Sequence, residues 1–176
     1  MIKHIIASDG TEEWYLHGEW HRTDGPAFLN SNGDRHWLLH GERHRTDGPA
    51  IDCVNGLKMW YVHGEQHRVD GPAVIKPNGT QWWYLYDKRH REDGPAVIQS
   101  DSTQWWFNGQ RHRVDGPAVE WADGSKEWWV DGKRHRLDGP AGEWASGSKE
   151  WWFYGRQFDQ FEYWLLINSK NSQAQP

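Results

Sequence analysis

The residues best suited to chemistry occur in a heptapeptide, His-Arg-x-Asp-Gly-Pro-Ala, which the chain repeats six times. A His-Arg-x-Asp sequence is also part of the catalytic loop of protein kinases. An active site is normally single, however, and the sequence has neither a glycine-rich nucleotide loop nor an Asp-Phe-Gly element. We therefore interpret the heptapeptide as structural and expect no enzymatic activity and no catalytic residue. Its copies begin at His21, His44, His67, His90, His112 and His135.

Each heptapeptide carries an arginine and, two residues later, an aspartate. We expect each guanidinium to bond to an aspartate of its own or of a neighbouring turn. Charge-assisted hydrogen bonds are strong, and contacts between neighbours stabilise repeat arrays. The predicted structural ladder consists of Arg22, Asp24, Arg45, Asp47, Arg68, Asp70, Arg91, Asp93, Arg113, Asp115, Arg136 and Asp138.

The eleven histidines raise the question of a metal site. Pairs such as His17 and His21 flank a tight turn in three repeats and could share one ion. Without converging cysteines or carboxylates this is a weak zinc signal, and equivalent histidines of successive repeats should lie about 9–10 Å apart. We therefore expect no metal and no other cofactor. We also expect the lone Cys53 to be inert and the stability to fall as the histidines become protonated.

The fifteen tryptophans are the other candidate for function. Trp and Tyr dominate the binding energy of protein interfaces, and several aromatic residues of the C-terminal half should lie opposite the core. The alternative is that this face is also buried, by curvature of the sheet or by a second molecule. The predicted partner-binding residues are Trp106, Trp121, Trp129, Trp144, Trp152 and Tyr154.

The spacing of the heptapeptides predicts the elements that position these residues. Successive copies are 23 residues apart, with one step of 22. Asn-Gly or Asp-Gly turns precede the aromatic segments and a second glycine turn follows them, which is typical of β-hairpins. The short step is explained by a deletion in the turn at residues 100–103, because loops tolerate a change of length that would reverse the faces of a strand.

One tryptophan of every repeat falls on the same side of the aromatic strand, because side chains alternate with a period of two. Only 29 of 176 residues are Leu, Ile, Val or Phe, so this ladder of indoles is expected to replace an aliphatic core. The expected core ladder is Trp14, Trp37, Trp60, Trp83, Trp105, Trp128 and Trp151.

The sequence therefore predicts an all-β protein, an elongated antiparallel β-hairpin repeat array of about seven repeats. The repeat domain is expected over residues 1–156. A short capping helix is expected over residues 157–168, where Phe158, Phe161, Trp164 and Leu165 have helical spacing. The polar residues 169–176 are expected to be disordered.

The turn glycine, aromatic pair and second turn glycine resemble the MORN repeat, most closely its variant form. The heptapeptide followed by Asn-Gly and Trp-Trp is similar to long repeat proteins of giant viruses and some phages. The resemblance covers about residues 8–156. It implies a scaffold of successive hairpins and, in some variant-repeat proteins, a role as an antitoxin or inhibitor.

Charge and hydropathy narrow the expected partners. The net charge of −5 disfavours nucleic acid and anionic lipid, and no apolar run approaches the roughly 20 residues that cross a bilayer. With no signal peptide and one cysteine, the cytoplasm is expected, or the host cytoplasm for a viral protein. We expect a non-enzymatic scaffold that binds one protein partner. The alternatives are a sequestering binder of a nucleotide-like ligand or single-stranded nucleic acid, and a self-assembling homo-oligomer.

Overall fold

The computed structural model describes residues 1–173, with side chains up to Lys170. These residues form 26 short strands and one helix, which confirms the predicted β-hairpin repeats and C-terminal helix. The chain forms two compact units, residues 1–89 and the described residues from His90 onward. The boundary falls inside the repeat domain predicted for residues 1–156, at the start of the fourth heptapeptide. We refer to the two parts as the N-terminal unit and the C-terminal unit.

The strands of the N-terminal unit have two to five residues. They are β1 (Lys3–Ile6), β2 (Glu12–Leu16), β3 (Glu19–Trp20), β4 (Phe28–Leu29), β5 (Arg35–His36), β6 (Leu38–Leu39), β7 (Glu42–Arg43), β8 (Ile51–Asp52), β9 (Lys58–Met59), β10 (Tyr61–Val62), β11 (Glu65–Gln66), β12 (Val74–Ile75), β13 (Gln81–Trp82), β14 (Tyr84–Leu85) and β15 (Lys88–Arg89).

The C-terminal unit has the same succession of short strands and ends in a helix. Its elements are β16 (Val97–Ile98), β17 (Ser102–Gln104), β18 (Trp106–Phe107), β19 (Gln110–Arg111), β20 (Val119–Trp121), β21 (Lys126–Glu127), β22 (Trp129–Val130), β23 (Lys133–Arg134), β24 (Gly142–Glu143), β25 (Lys149–Phe153), β26 (Arg156–Phe158) and α1 (Gln160–Gln173).

Each repeat contributes strands to two antiparallel ladders. The first ladder has the order β1-β2-β4-β5-β8-β9-β12-β13 in the N-terminal unit and β16-β17-β20-β21-β24-β25-β26 in the C-terminal unit. The second consists of short hairpins, such as β6–β7 and β22–β23, that close over the second glycine turn. Hydrogen bonds join successive hairpins, for example from Arg22 N–H to Leu38 O at 3.1 Å and from Gly41 N–H to Trp20 O at 2.9 Å.

The second glycine turn requires two residues of positive φ. In the second repeat these are His40 at 50° and Gly41 at 77°, as expected for a type I′ turn, whose twist matches that of the strands. Glycine occupies the second position in most repeats. Tyr86 and Asp87, at 48° and 58°, form the corresponding turn without glycine.

In five repeats the aromatic strand is interrupted at the tryptophan that was expected in the core, whereas β2 and β25 continue through Trp14 and Trp151. Trp37, for example, lies between β5 and β6; its N–H donates to Ala50 O at 2.8 Å, and its carbonyl accepts from His44 N–H at 3.1 Å. The same pair of bonds occurs at Trp14, Trp60, Trp105 and Trp128. Each of these tryptophans therefore connects the first ladder to the second.

The buried core differs from the predicted tryptophan ladder. The buried apolar positions of the strands and loops are the alanine of every heptapeptide and the aliphatic residues that follow it. Leu38 and Tyr61 are also buried, although they belong to the side of the aromatic strand opposite the predicted core. All seven ladder tryptophans are only partly buried. In the five interrupted strands the irregular tryptophan explains the error, because alternation of faces does not continue through an irregular residue. The core alanines and their buried neighbours are Ala27, Ala50, Ile51, Ala73, Val74, Ala96, Val97, Ala118, Val119 and Ala141.

Helix α1 packs through an unexpected face. It begins after Asp159, whose Oδ1 accepts the N–H of Glu162 at 2.8 Å as an N-cap. Tyr163 and Ile167 are buried, at 0% and 5% exposure, and burial raises the pKa of Tyr163 to about 12. The predicted apolar side is instead exposed, with Phe161 at 73% and Leu165 at 56%, because helical spacing alone did not tell which of two apolar stripes packs.

The limits of the helix also differ from the prediction. Gln157 and Phe158 belong to β26, and residues 169–173 are helical where disorder was expected. Residues 174–176 lie outside the described part of the chain.

Candidate interaction surface

In five heptapeptides the arginine lies over the tryptophan of its own repeat. The distance from the guanidinium carbon to the ring centre is 3.9–4.0 Å at Trp14, Trp37, Trp60, Trp105 and Trp128. A guanidinium packed on an indole face gains cation–π attraction. It also covers part of an indole that the core does not bury, which explains why these tryptophans tolerate partial exposure.

The remaining heptapeptide residues hold this guanidinium in place. In every copy Nε donates to the aspartate Oδ1 at 2.7–2.9 Å, and Nη1 donates to the proline carbonyl at 3.2–3.5 Å. The structure therefore places each predicted Arg–Asp pair within one motif. The glycine leaves room for the guanidinium, since a Cβ on Gly48 would lie 2.9 Å from Arg45 Cζ.

The histidine of the heptapeptide joins one repeat to the next. Nδ1 of His21 accepts the backbone N–H of His40 at 3.1 Å, and Nδ1 of His44 accepts that of His63 at 3.1 Å. A ring nitrogen can accept only when it carries no proton, so these bonds require neutral histidines. Burial, with the neighbouring His40 and His17, lowers the pKa of His21; burial and His63 lower that of His44.

The same histidine contact recurs in the C-terminal unit. His90, His112 and His135 accept backbone N–H groups at 3.2–3.3 Å. At His112, the Asp131 carboxylate also lies 2.9 Å from Nδ1. In the N-terminal unit, His67 is the exception. It faces the turn Tyr86-Asp87, and its buried Nδ1 has no hydrogen-bond partner among the described residues.

Most of the predicted partner-binding tryptophans form an internal stack with arginines. The carbon Cζ of Arg111 lies 5.3 Å from the Trp106 ring and 5.2 Å from the Trp129 ring. That of Arg134 lies 5.4 Å from Trp129 and 5.3 Å from Trp152. We call these five residues the Trp–Arg stack.

Two glutamates complete the stack. Glu127 is buried at 5% exposure and accepts Trp129 Nε1–H at 2.7 Å and Arg134 Nη2–H at 3.0 Å. Glu150 accepts Trp152 Nε1–H at 3.0 Å and Arg134 Nη1–H at 2.9 Å. The indole N–H groups of Trp129 and Trp152 and both Nη atoms of Arg134 therefore have acceptors within the chain, whereas the buried Nε of Arg134 has no hydrogen-bond partner among the described residues.

The other predicted residues lie outside the Trp–Arg stack, and one of them, Tyr154, lines the groove over Trp128. Trp144 is also near Arg134, at 5.7 Å, whereas Trp121 is partly buried and its Nε1 has no partner among the described residues. Tyr154 is half exposed and stacks on His135, with ring centres 3.9 Å apart. All five predicted tryptophans are partly buried.

Open grooves lie instead between successive heptapeptides. Each has two heptapeptide loops as walls, and a ladder tryptophan with the residue two positions later as floor. The N-terminal unit has grooves of about 520 and 540 Å³ over Trp37 and Trp60, and the C-terminal unit has grooves of about 640 and 650 Å³ over Trp105 and Trp128. In each unit, we call the surface that carries these grooves the loop face.

The variable position of the heptapeptide supplies exposed apolar side chains to the loop face. Val69 and Val114 are 82% exposed and Leu137 is 56% exposed. The sequence analysis assigned no role to this position. Its signal was an aliphatic residue directly before Asp-Gly, where a loop leaves the side chain in solvent.

Metal, redox and membrane features were also tested by the structure. Within residues 1–173, no three His, Cys, Asp or Glu side chains converge as metal ligands. Burial, with Asp34 and Asp52 nearby, raises the pKa of the Cys53 thiol, which disfavours the reactive thiolate. Among the same residues, no helix has the length and apolar character needed to cross a bilayer.

Comparison with known proteins adds no family. No protein-family model matches the chain, and no curated protein is significantly similar to it. The resemblance to MORN variant repeats therefore stays a prediction, and the loop face is the candidate site on structural grounds alone.

Proposed function

We propose that the chain is a non-enzymatic scaffold that binds a protein partner through its loop face. The observation that carries this proposal is the series of open grooves, each with a tryptophan floor and, in three cases, an exposed Val69, Val114 or Leu137 on a wall. Exposed apolar groups beside aromatic floors are typical of interaction surfaces. The Trp–Arg stack is a poorer candidate, because its three indole N–H groups already have acceptors within the chain.

The resemblance extends this proposal to biology. Like some variant-repeat proteins, the chain would act in the cytoplasm as a viral or phage inhibitor, or as an antitoxin-like neutraliser, by covering a surface of its partner. The six aspartates of the heptapeptides and the fixed guanidiniums behind them would give that surface a repeating pattern of charge.

The proposal is tested by a triple variant, Val69→Lys, Val114→Lys and Leu137→Lys. These side chains are exposed, so the fold should persist while each altered groove gains a charge and loses an apolar contact. The matched control is Val54→Lys, at a valine that is 66% exposed in a turn outside the grooves.

Each protein is immobilised and used to capture partners from a lysate, and the retained proteins are quantified by mass spectrometry. We expect at least one stoichiometric protein to be retained by the unmodified chain and by Val54→Lys, and lost by the triple variant. Equal retention by the triple variant would show that the loop face is not the binding surface.

A further inference from the structure

The grooves of the loop face recur with a fixed spacing. Neighbouring grooves within a unit are two strand spacings apart in the first ladder. For example, Trp37 follows β5 and Trp60 follows β9, and β8 lies between these two strands. Adjacent strands lie about 4.7–4.9 Å apart, so equivalent points should recur about every 9.4–9.8 Å. A ligand that fills two grooves must present equivalent side chains at this interval and on one side.

One backbone conformation meets both conditions. A polyproline II helix rises about 3.1 Å per residue with three residues per turn, so residues i and i+3 are about 9.3 Å apart on the same side. In a β-strand, residues i and i+3 point to opposite faces. In an α-helix, a rise of about 9.3 Å takes about six residues, and residues i and i+6 lie about 120° apart around the axis.

The floor of each groove suits proline rings. It is a tryptophan accompanied by Leu39, Val62, Phe107 or Val130. Grooves lined by aromatic side chains are a recurring way to bind proline-rich peptides. The guanidinium that lies over each indole fixes its orientation before binding, so little side-chain entropy remains to be lost.

The walls of each groove favour a basic ligand. The heptapeptide aspartates are 78–82% exposed, whereas their arginine partners are only 21–24% exposed. Hydrogen bonds from the arginines lower the pKa of the aspartates, for example Asp115, and keep them ionised. In the C-terminal unit Glu92, 80% exposed, adds a further carboxylate to the wall over Trp105. A ligand therefore meets carboxylates first.

We infer that the loop face binds a proline-rich segment in the polyproline II conformation, with a basic residue at every third position. This inference rests on the proposed function and names the chemistry of the partner. Each unit offers two adjacent grooves, which accommodate two successive triplets. The register of three residues, rather than proline content alone, determines the fit.

The register is tested with two peptides of identical composition, Arg-Pro-Pro-Arg-Pro-Pro-Arg and Pro-Arg-Pro-Arg-Pro-Arg-Pro. Both carry three arginines and four prolines, but only the first repeats every three residues. Binding to the full chain is measured by fluorescence polarisation of labelled peptide. We expect the first peptide to bind at least about tenfold more tightly, because a peptide out of register gives up one groove.

Two variants locate the site. Glu92→Gln removes a carboxylate that holds no heptapeptide arginine, so it should weaken binding of the first peptide several-fold without disturbing the loop. The control Glu65→Gln changes an exposed glutamate of β11, outside the grooves, and should leave binding unchanged. The triple lysine variant should abolish binding.

Equal affinity for the two peptides, or no binding of either, would overturn the inference. If the triple variant also loses its captured protein partner while neither peptide binds the unmodified chain, the proposed function stands and the polyproline register is wrong. If the peptide series behaves as expected while capture is unaffected by the triple variant, the groove chemistry stands and the proposed function is wrong.

Discussion

The N-terminal and C-terminal units share the heptapeptide and the tryptophan–arginine contact, but other side chains join their repeats differently. In the N-terminal unit, histidine rings meet across successive repeats, with ring centres 4.2 Å apart for His21 and His40 and 4.4 Å apart for His44 and His63. In the C-terminal unit, the Trp–Arg stack and two glutamates run across the repeats. The same backbone therefore accepts two kinds of polar chemistry.

This difference shows which positions define the repeat. The arginine of the heptapeptide keeps its aspartate and proline contacts in both units, although Arg136 also bonds to Glu143 in the C-terminal unit. Outside the heptapeptide, the residues that differ between the two units face the next repeat and need only partners for their own polar atoms. The C-terminal excess of tryptophan thus helps to join repeats, and the loop face remains the proposed surface for a partner.

The largest expected effect comes from the buried carboxylate of the C-terminal unit. Glu127→Ala leaves Arg134 and the Trp129 N–H without their buried acceptor, and removing one partner of a buried ion pair typically costs about 3–5 kcal/mol of unfolding free energy. Urea denaturation measures the loss. Glu65→Ala, at an exposed glutamate of the N-terminal unit, is the control and should change stability by less than about 0.5 kcal/mol. Similar effects of the two variants would contradict the role assigned to Glu127.

The next effect tests the element that the two units share. Gly48→Ala and Gly116→Ala would each place a Cβ 2.9–3.0 Å from an arginine Cζ and displace the guanidinium from its tryptophan and aspartate. We expect each to cost about 1–2 kcal/mol, and the two costs to agree because the contacts are the same. Thermal unfolding of the two variants gives the comparison. Costs that differ strongly between the units would show that the heptapeptide does not play one role throughout.

The third effect is a dependence of stability on pH. Burial lowers the pKa of His21, His44 and His135 from the ordinary value of about 6.5, so the folded chain binds protons less readily than the unfolded chain. The stability is therefore fully present above about pH 6.5 and falls as the pH drops below that value. Melting temperatures between pH 8 and pH 5 should decrease by several degrees.

Two histidine variants sharpen this result. His44→Gln keeps an acceptor for the His63 N–H but removes a proton-binding group, so it should reduce the pH dependence. His135→Gln should reduce the dependence in the same way in the C-terminal unit, because burial also lowers the pKa of His135 and its Nδ1 accepts the Tyr154 N–H. A flat stability profile in the unmodified chain would rule out the neutral histidine contacts.

The smallest effect is expected at the exposed ion pairs. Asp47→Asn in the N-terminal unit and Asp115→Asn in the C-terminal unit weaken one bond to an arginine that the tryptophan and the proline carbonyl still hold. Exposed pairs contribute little, so both melting temperatures should stay within the scatter of ordinary surface substitutions. A large loss at either aspartate would mean that the carboxylate, rather than the indole, orients the guanidinium.

Local signals explain which parts of the fold could be predicted. Turn glycines and the fixed heptapeptide spacing predicted the hairpins, because both act within a few residues. The prediction of which side of the aromatic strand forms the core was wrong. At Trp37 the strand is interrupted by hydrogen bonds with Ala50 and His44, which lie outside this strand. The face of α1 was wrong for a similar reason. Tyr163 was not distinguishable from Phe161 until its packing against the sheet was known.

The candidate site depended even more on contacts between repeats. The sequence correctly placed an excess of tryptophan in the C-terminal half, but an indole looks exposed until the arginine from a neighbouring strand is placed over it. Arg134 pairs with Trp129 across the β22–β23 hairpin, a contact that the second glycine turn could have indicated. Arg111 reaches Trp129 from the preceding repeat, and no local pattern connects the two. The exposed aliphatic residues of the heptapeptides could have been found, since they alone vary between Asp-bearing loops of otherwise constant sequence.

Hydrogen–deuterium exchange of the full chain, with and without its captured partner, tests the central claim most directly. Binding through the loop face should protect the heptapeptide loops at residues 67–72, 112–117 and 135–140 more strongly than the strands that carry both the groove floors and the Trp–Arg stack. Protection of residues 104–107, 127–130 and 150–153, with the loops exchanging as in the free chain, would contradict it and return the binding surface to the tryptophans.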